Sequence, residues 1–257
     1  MKVKKQYLTK NPCYKTKRTI TPKGIMLHSI GTPQPDATKL MKYWNNDNIK
    51  VCVHAIIDAN DGTVYQTLPW DHRAWHAGGK ANNTHISVEM CEPPNIKYTS
   101  GSNFTCKDPL KAMEYVNRTY KVAVKLFAKL CKDYKLDPLK DGVIISHAEG
   151  YKRGVASNHG DPDHLWKQFK MELNINKFRQ DVAKAMGLVK NTPKKNPEYK
   201  VYVGISNLTI RKGPGTSYDR TGKTTGIGTF TIVETTGSWG KLKSGAGWIS
   251  LNYTQRV

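Results

Sequence analysis

Short apolar runs, set apart by polar, Gly-rich and Pro-rich stretches, lay out the first part of the chain. Gly24–Ser29 (GIMLHS) reads as a central strand ending at His28. Val143–His147 repeats that pattern, with His147 at the C-terminal edge of a β-branched run, where open α/β sheets carry their sites. Ala37–Asn45 puts Leu40, Met41 and Trp44 on one face of a short helix. Val51–Ile57 is a second apolar run, turned by Asn60, Asp61 and Gly62 into Thr63–Gln66 as a hairpin. Ile86–Met90 (ISVEM) alternates as a strand does, and Asp108 before Pro109 starts a helix that reaches Tyr134 with Leu110, Met113, Tyr120, Val124, Phe127 and Cys131 at three-to-four spacing. Asn176–Met186 is a further helix, capped by Asn176 and stopped by Gly187.

Beyond a Pro/Lys/Asn stretch, Lys190–Glu198, the pattern changes to short strands and turns: Lys200–Ile205, Leu208–Arg211, Thr229–Glu234, Gly240–Lys243 and Gly247–Ser250. These predict an α/β domain over residues 1–187, with a mixed β-sheet flanked by helices, then a linker at 188–198 and a small all-β barrel at 199–257.

Charge narrows the partners. The 41 Lys and Arg against 20 Asp and Glu leave a formal +21, which points to a polyanion: nucleic acid, an anionic membrane or an acidic polymer such as a bacterial wall. The cations are scattered, with short clusters only at Lys2–Lys5, Lys15–Arg18 and Lys194–Lys195, so no specific nucleic-acid recognition is indicated. The five cysteines are odd in number and widely spaced without a C-x-x-C pair, against a disulfide framework or a zinc ribbon. The start MKVKKQYLTKNP has no apolar core, and no transmembrane-length apolar stretch follows. The expectation is a chain made in the cytoplasm without a signal peptide, which something else must release if it acts outside.

The chemistry gathers at Val143–Trp166 (VIISHAEGYKRGVASNHGDPDHLW), where a Gly/Asn/Asp-rich loop after His147 brings His159, Asp161 and His164. Taken singly, these are core, turn or cap residues as readily as ligands; their clustering favours ligation. His54 reads as a packed strand histidine. The loop Asp71–Gly79 (DHRAWHAGG) suits a groove wall offering His76. Glu89 either faces solvent from an edge strand or is a buried carboxylate aimed into the site. Two histidines, a carboxylate and water form a catalytic zinc set with one open position, which His28, His147 and Asp161 supply, with His164 a rival third ligand.

Five ordered blocks, GIMLHS, VHAIIDANDGTVYQ, AWHAGG, NNTHISVEM and VIISHAEG…NHGDP, resemble the zinc-dependent N-acetylmuramoyl-L-alanine amidases of the phage-lysozyme and peptidoglycan-recognition-protein type, over about Gly24–Trp166. The resemblance implies zinc held by His28, His147 and Asp161, Glu89 as the catalytic carboxylate and His76 near the substrate. Two positions depart from it. His159 stands where many members have Lys, and it inherits the role of donor to the oxyanion; Val53 stands where some have Tyr. The segments NLTIRKGPGTSY and GSWGKLKSGAGWISLNY resemble bacterial SH3-like wall-binding domains.

Together these imply an endolysin of phage or prophage origin that cuts the amide between N-acetylmuramic acid and L-alanine in a Gram-positive wall. Anionic wall polymers would be a further partner of the basic surface, and a host autolysin is the other origin. Two other readings stand beside it: a non-catalytic peptidoglycan-recognition protein, and a zinc endopeptidase cutting within the stem peptide.

Overall fold

In the computed structural model, which describes residues 1–188 and 198–257, the chain divides into two compact units, Met1–Lys190 and Asn191–Val257. The linker expected at 188–198 lies almost wholly outside the described residues.

The first unit is built on a six-stranded mixed sheet ordered β1-β4-β3-β5-β2-β8, with β1 Val3–Lys5, β2 Gly24–Ser29, β3 Ala55–Ile57, β4 Val64–Gln66, β5 His85–Met90 and β8 Ile144–Ser146. A separate hairpin pairs β6 (Ile96–Ser100) with β7 (Asn103–Cys106). The helices are α1 Pro12–Lys15, α2 Ala37–Trp44, α3 Pro109–Asp133, α4 His147–Lys152, α5 Asp163–Gln168 and α6 Ile175–Ala185.

Strands β5, β2 and β8 run parallel side by side, and β2 is buried at all six residues, as expected of a strand covered on both faces. Two cores lie against the sheet. One joins Ile25, Leu27, Val88 and Ile144 to Val116, Tyr120 and Phe127 of α3 and Phe178 and Val182 of α6. The other joins Ile56 and Tyr65 to Leu40, Met41 and Trp44 of α2. Apolar periodicity therefore placed α2 and α3 correctly, although Leu110 in the first turn of α3 is exposed. The α6 cap is Asn174, whose side chain accepts from Lys177 N, rather than Asn176.

The second unit is one all-antiparallel sheet ordered β11-β10-β14-β13-β12-β9-β15, consistent with an SH3-like fold. Its strands are β9 Tyr199–Val203, β10 Thr209–Arg211, β11 Arg220–Thr224, β12 Gly228–Thr236, β13 Trp239–Leu242, β14 Trp248–Ser250 and β15 Thr254–Arg256. Val201, Val203, Ile210, Ile232, Leu242 and Ile249 form its core. Strands β11 (RTGKT) and β15 (TQR) escaped the sequence reading because they carry no apolar alternation; their order comes from pairing with β10 and β9.

Candidate metal centre

Strand register creates the site. His28 is the penultimate residue of β2 and pairs directly with Glu89 of β5, while Leu27 pairs with Ser146, so the next residue of that neighbouring chain, His147, emerges beside His28. Three side chains from distant parts of the sequence thus reach one end of adjacent parallel strands, where a backbone that can no longer continue the ladder gives way to loops. Ser146 caps α4 by accepting from Glu149 N at 3.1 Å, which turns the chain away at His147. Asp161 is returned to this point by its own backbone, whose carbonyl accepts from Ala148 N at 3.1 Å, and by its carboxylate, which accepts from Ser29 N at 3.2 Å.

The donor atoms converge. His28 Nδ1 lies 3.0 Å from His147 Nδ1 and 3.3 Å from Asp161 Oδ2, and His147 Nδ1 lies 3.4 Å from Asp161 Oδ1. A tetrahedron with metal–ligand bonds of about 2.0–2.1 Å has edges of roughly 3.3 Å; the two histidines approach different oxygens of Asp161, and one donor atom from each of the three residues lies within 4.8 Å of the others, close enough to gather on one ion. Protonation fits as well. Burial, then the neighbouring His28, lowers the His147 pKa to about 4, which leaves a neutral imidazole. Burial on its own would raise Asp161, but the hydrogen bond from His28 and the nearby His28 and His147 outweigh it and hold the carboxyl below its ordinary range. A neutral His147 imidazole and an ionised Asp161 carboxylate are forms in which a divalent metal takes such ligands.

The outward ring nitrogens are tied down too. If a metal took Nδ1 of each ring in place of the His28 hydrogen bond to Asp161, each Nε2 would carry the proton, with His76 Nδ1 at 2.9 Å from that of His28 and Ser157 Oγ at 3.3 Å from that of His147 to accept it. His76 is thus a support for His28 as well as a lining residue of the groove, and burial drives its pKa well below the usual imidazole value. Ser157 had no weight in the sequence reading, although it sits two residues before His159 in the same loop. Its hydroxyl also contacts His159 Nδ1 at 3.1 Å and Ala77 O at 3.2 Å. Gly78 admits this loop: it has φ +62°, and a Cβ there would lie 2.7 Å from Ser157 Oγ.

Glu89 is buried rather than facing solvent, and its Oε2 has no hydrogen-bond partner among the described residues. Burial first, then Asp161 and Glu92, pushes its pKa well above the ordinary carboxylate range. His159 is exposed, with its ring centroid 4.5 Å from that of His147. All these residues line a groove of about 500 Å³ together with Trp44, Lys50 and Trp75.

His164 is drawn elsewhere. Its Nε2 is 2.7 Å from Tyr98 Oη, which donates to Glu92 Oε2 at 2.7 Å, and the donors that converge within 4.8 Å of one another are those of His28, His147 and Asp161. His54 is a packed histidine, bonded to Ser87 Oγ at 2.9 Å and His72 O at 2.7 Å. The cysteines Cys13, Cys52, Cys91, Cys106 and Cys131 are free. No helix among the described residues is long and apolar enough to cross a membrane.

Known proteins share the fold of the first unit. A solved structure of the Staphylococcus aureus hydrolase AmiA with its ligand superposes with a TM-score of 0.55 at 19% identity, covering 74% of this chain and 87% of that one. The catalytic domain of PlyG gives 0.52 at 19% identity over 76% of this chain and 100% of its own. At such identity the likeness is one of fold. In sequence, the chain is 22% identical over 196 residues to the N-acetylmuramoyl-L-alanine amidase CwlH of Bacillus subtilis, covering 73% of this chain and 74% of CwlH. It is 32% identical over 78 residues to the amidase XlyA of the same bacterium, covering 28% of this chain and 26% of XlyA. The family model described as N-acetylmuramoyl-L-alanine amidase matches residues 18–164, more than half of the chain and the whole stretch from before β2 to His164. That match spans every strand and loop that brings His28, Glu89, His147 and Asp161 together, and the chain belongs to the N-acetylmuramoyl-L-alanine amidase family of peptidoglycan hydrolases.

Proposed function

We propose that this amidase cuts the bond between the lactyl group of N-acetylmuramic acid and the L-alanine of the stem peptide, with zinc held by His28, His147 and Asp161. The observation that carries the reading is the convergence of one donor each from His28, His147 and Asp161 within 4.8 Å, beside the buried Glu89 carboxylate, one oxygen of which has no partner among the described residues. When bound, zinc would supply a water acidic enough to lose a proton near neutral pH and a Lewis acid for the scissile carbonyl.

The chain's own groups do the rest. Glu89, held as a strong proton acceptor by its burial, takes the proton of the attacking water and passes it to the departing alanine nitrogen. His159, at the open side of the groove, donates to the oxygen that gains charge as the carbonyl carbon becomes tetrahedral. Ser157 Oγ lies 3.1 Å from His159 Nδ1 and helps to hold the ring at the open side of the groove. His76, bonded to His28, fixes the orientation of that ligand and forms part of the wall the substrate meets.

The +21 charge supports attraction to the anionic polymers of a Gram-positive wall, and the all-β second unit supplies a wall-binding module of SH3-like type. A catalytic and a wall-binding unit in one chain suit a phage or prophage endolysin, made in the cytoplasm and acting on the wall after release. Mass spectrometry of purified Gram-positive peptidoglycan tests the bond: the reading expects intact stem peptides with a free alanine amino terminus and unshortened glycan strands, a release stopped by chelator and restored by zinc. Fragments cut inside the peptide would overturn it in favour of an endopeptidase.

A further inference from the structure

The groove has one built feature that the reaction has not used. Lys50 is the only Lys or Arg among its lining residues; it is exposed, and no carboxylate among the described residues pairs with it. A surface lysine is usually just solvated, but the backbone that carries this one is anchored. The buried side chain of Asn11 donates from Nδ2 to Trp44 O at 2.8 Å, Ile49 O at 3.1 Å and Val51 O at 3.0 Å, gripping the chain on both sides of Lys50. Asn45 Oδ1 accepts from Lys10 N at 2.8 Å, and Asp47 is paired with Lys15. On the far side, Cys52 and Trp75 exchange backbone hydrogen bonds at 3.2 and 3.1 Å, which joins this loop to the wall formed by the loop after β4.

Lys10, Asn11 and Lys15 all precede residue 18, where the family match begins. The lead segment of this chain therefore anchors the backbone that brings a cation to the groove, whose lining Lys50 shares with Trp44 and Trp75. A cation presented on a fixed backbone loses less freedom when it engages a ligand than one on a mobile loop. The substrate offers a matching group: the second residue of the stem peptide bears a carboxyl that is free in some walls and amidated in others. We propose that Lys50 is a specificity-determining residue that receives this carboxylate, so that the enzyme prefers stem peptides whose second residue is unamidated. The inference rests on the amidase reading given above.

The test compares kcat/KM of the zinc-loaded full chain for N-acetylmuramoyl-L-alanyl-D-glutamate and for the same compound with its α-carboxyl amidated. A single partly exposed ion pair makes the acid form better by about fivefold, with the ratio shrinking as salt rises. Lys50→Gln brings the ratio close to one, Lys50→Arg keeps it and Lys50→Glu inverts it. Equal rates for the two compounds with wild-type protein, or a ratio that survives Lys50→Gln, overturn the assignment while leaving the amidase intact. Cleavage of neither compound by wild-type protein, alongside cleavage elsewhere in intact peptidoglycan, overturns the amidase reading and this inference with it.

Discussion

Asp161 and His164 stand three residues apart, yet they belong to different kinds of polar cluster. Around Asp161, the Nδ1 atoms of His28 and His147 and the carboxylate point at one another across 3.0–3.4 Å, and their remaining nitrogens are held from behind by His76 and Ser157. Around His164, the Nε2 atom meets the Tyr98 hydroxyl, which in turn bonds Glu92, and Glu92 accepts from Gly31 N at 3.0 Å. The first cluster aims donors at a shared point; the second spends them on each other. Both are buried, and burial raises the pKa of a carboxylate in each neighbourhood, Glu89 beside the first and Glu92 in the second, where it reaches about 7. Burial and a raised pKa are therefore not what separates a reactive site from a structural one. Convergence of lone pairs does so, because only converging donors can share a cation.

The largest expected effect breaks the first cluster. Asp161→Ala should abolish zinc binding and cut turnover by at least about a thousandfold, since both the acidic water and the polarised carbonyl depend on that ligand. His164→Gln should keep one zinc per chain by elemental analysis. If His164→Gln loses the metal and Asp161→Ala keeps it, the two clusters exchange roles. Next, Glu89→Gln should lower kcat by about 10²–10⁴-fold with zinc content unchanged, because it removes the proton acceptor and not a ligand.

A third histidine environment gives a pH test. His54 is wholly buried with both ring nitrogens bonded, and burial, the leading cause, lowers its pKa to about 4. The unfolded chain therefore binds the proton first, so the contribution of His54 is complete above about pH 6.5 and is lost as pH falls towards 4, about 3 kcal/mol in all. Thermal melts from pH 7 to 4 should show that loss, and His54→Gln should flatten the slope; an unchanged slope would assign the acid sensitivity to other groups. The smallest effect sharpens the first cluster: Ser157→Ala should weaken zinc affinity by about tenfold, as loss of a partner to a ligating histidine does. Zinc titration with a competing chelator measures it.

Much of this was legible in sequence for identifiable reasons. GIMLHS and VIISH are apolar because their strands are covered on both faces, so the histidines that end them mark the strand edge on which a site is built. α2 and α3 showed through their apolar stripes. β1, with the pattern VKK, is exposed at all three residues and had no such signature, and neither did the hairpin β6–β7, which carries exposed polar positions. His76 was read as a wall residue, but its bond to His28 spans 48 positions and had no local sign. The clamp from Asn11 to the Lys50 loop was equally hidden, since an isolated Asn before Pro12 looks only like the helix cap that it also is.

The sequence by itself determined the family, through its five ordered motif blocks, and the α/β class of the first part, because composition and periodicity constrain what each segment can bury; it also offered the candidate metal ligands. Only the tertiary structure decided which of those residues meet. Pairing β2 with β5 and β8 joins positions 28, 89 and 147, and the turn into α5 faces Asp161 to the histidines and His164 to Tyr98. Ligand choice depends on separations of a few ångströms between atoms more than a hundred residues apart, and strand register, not local pattern, sets those distances.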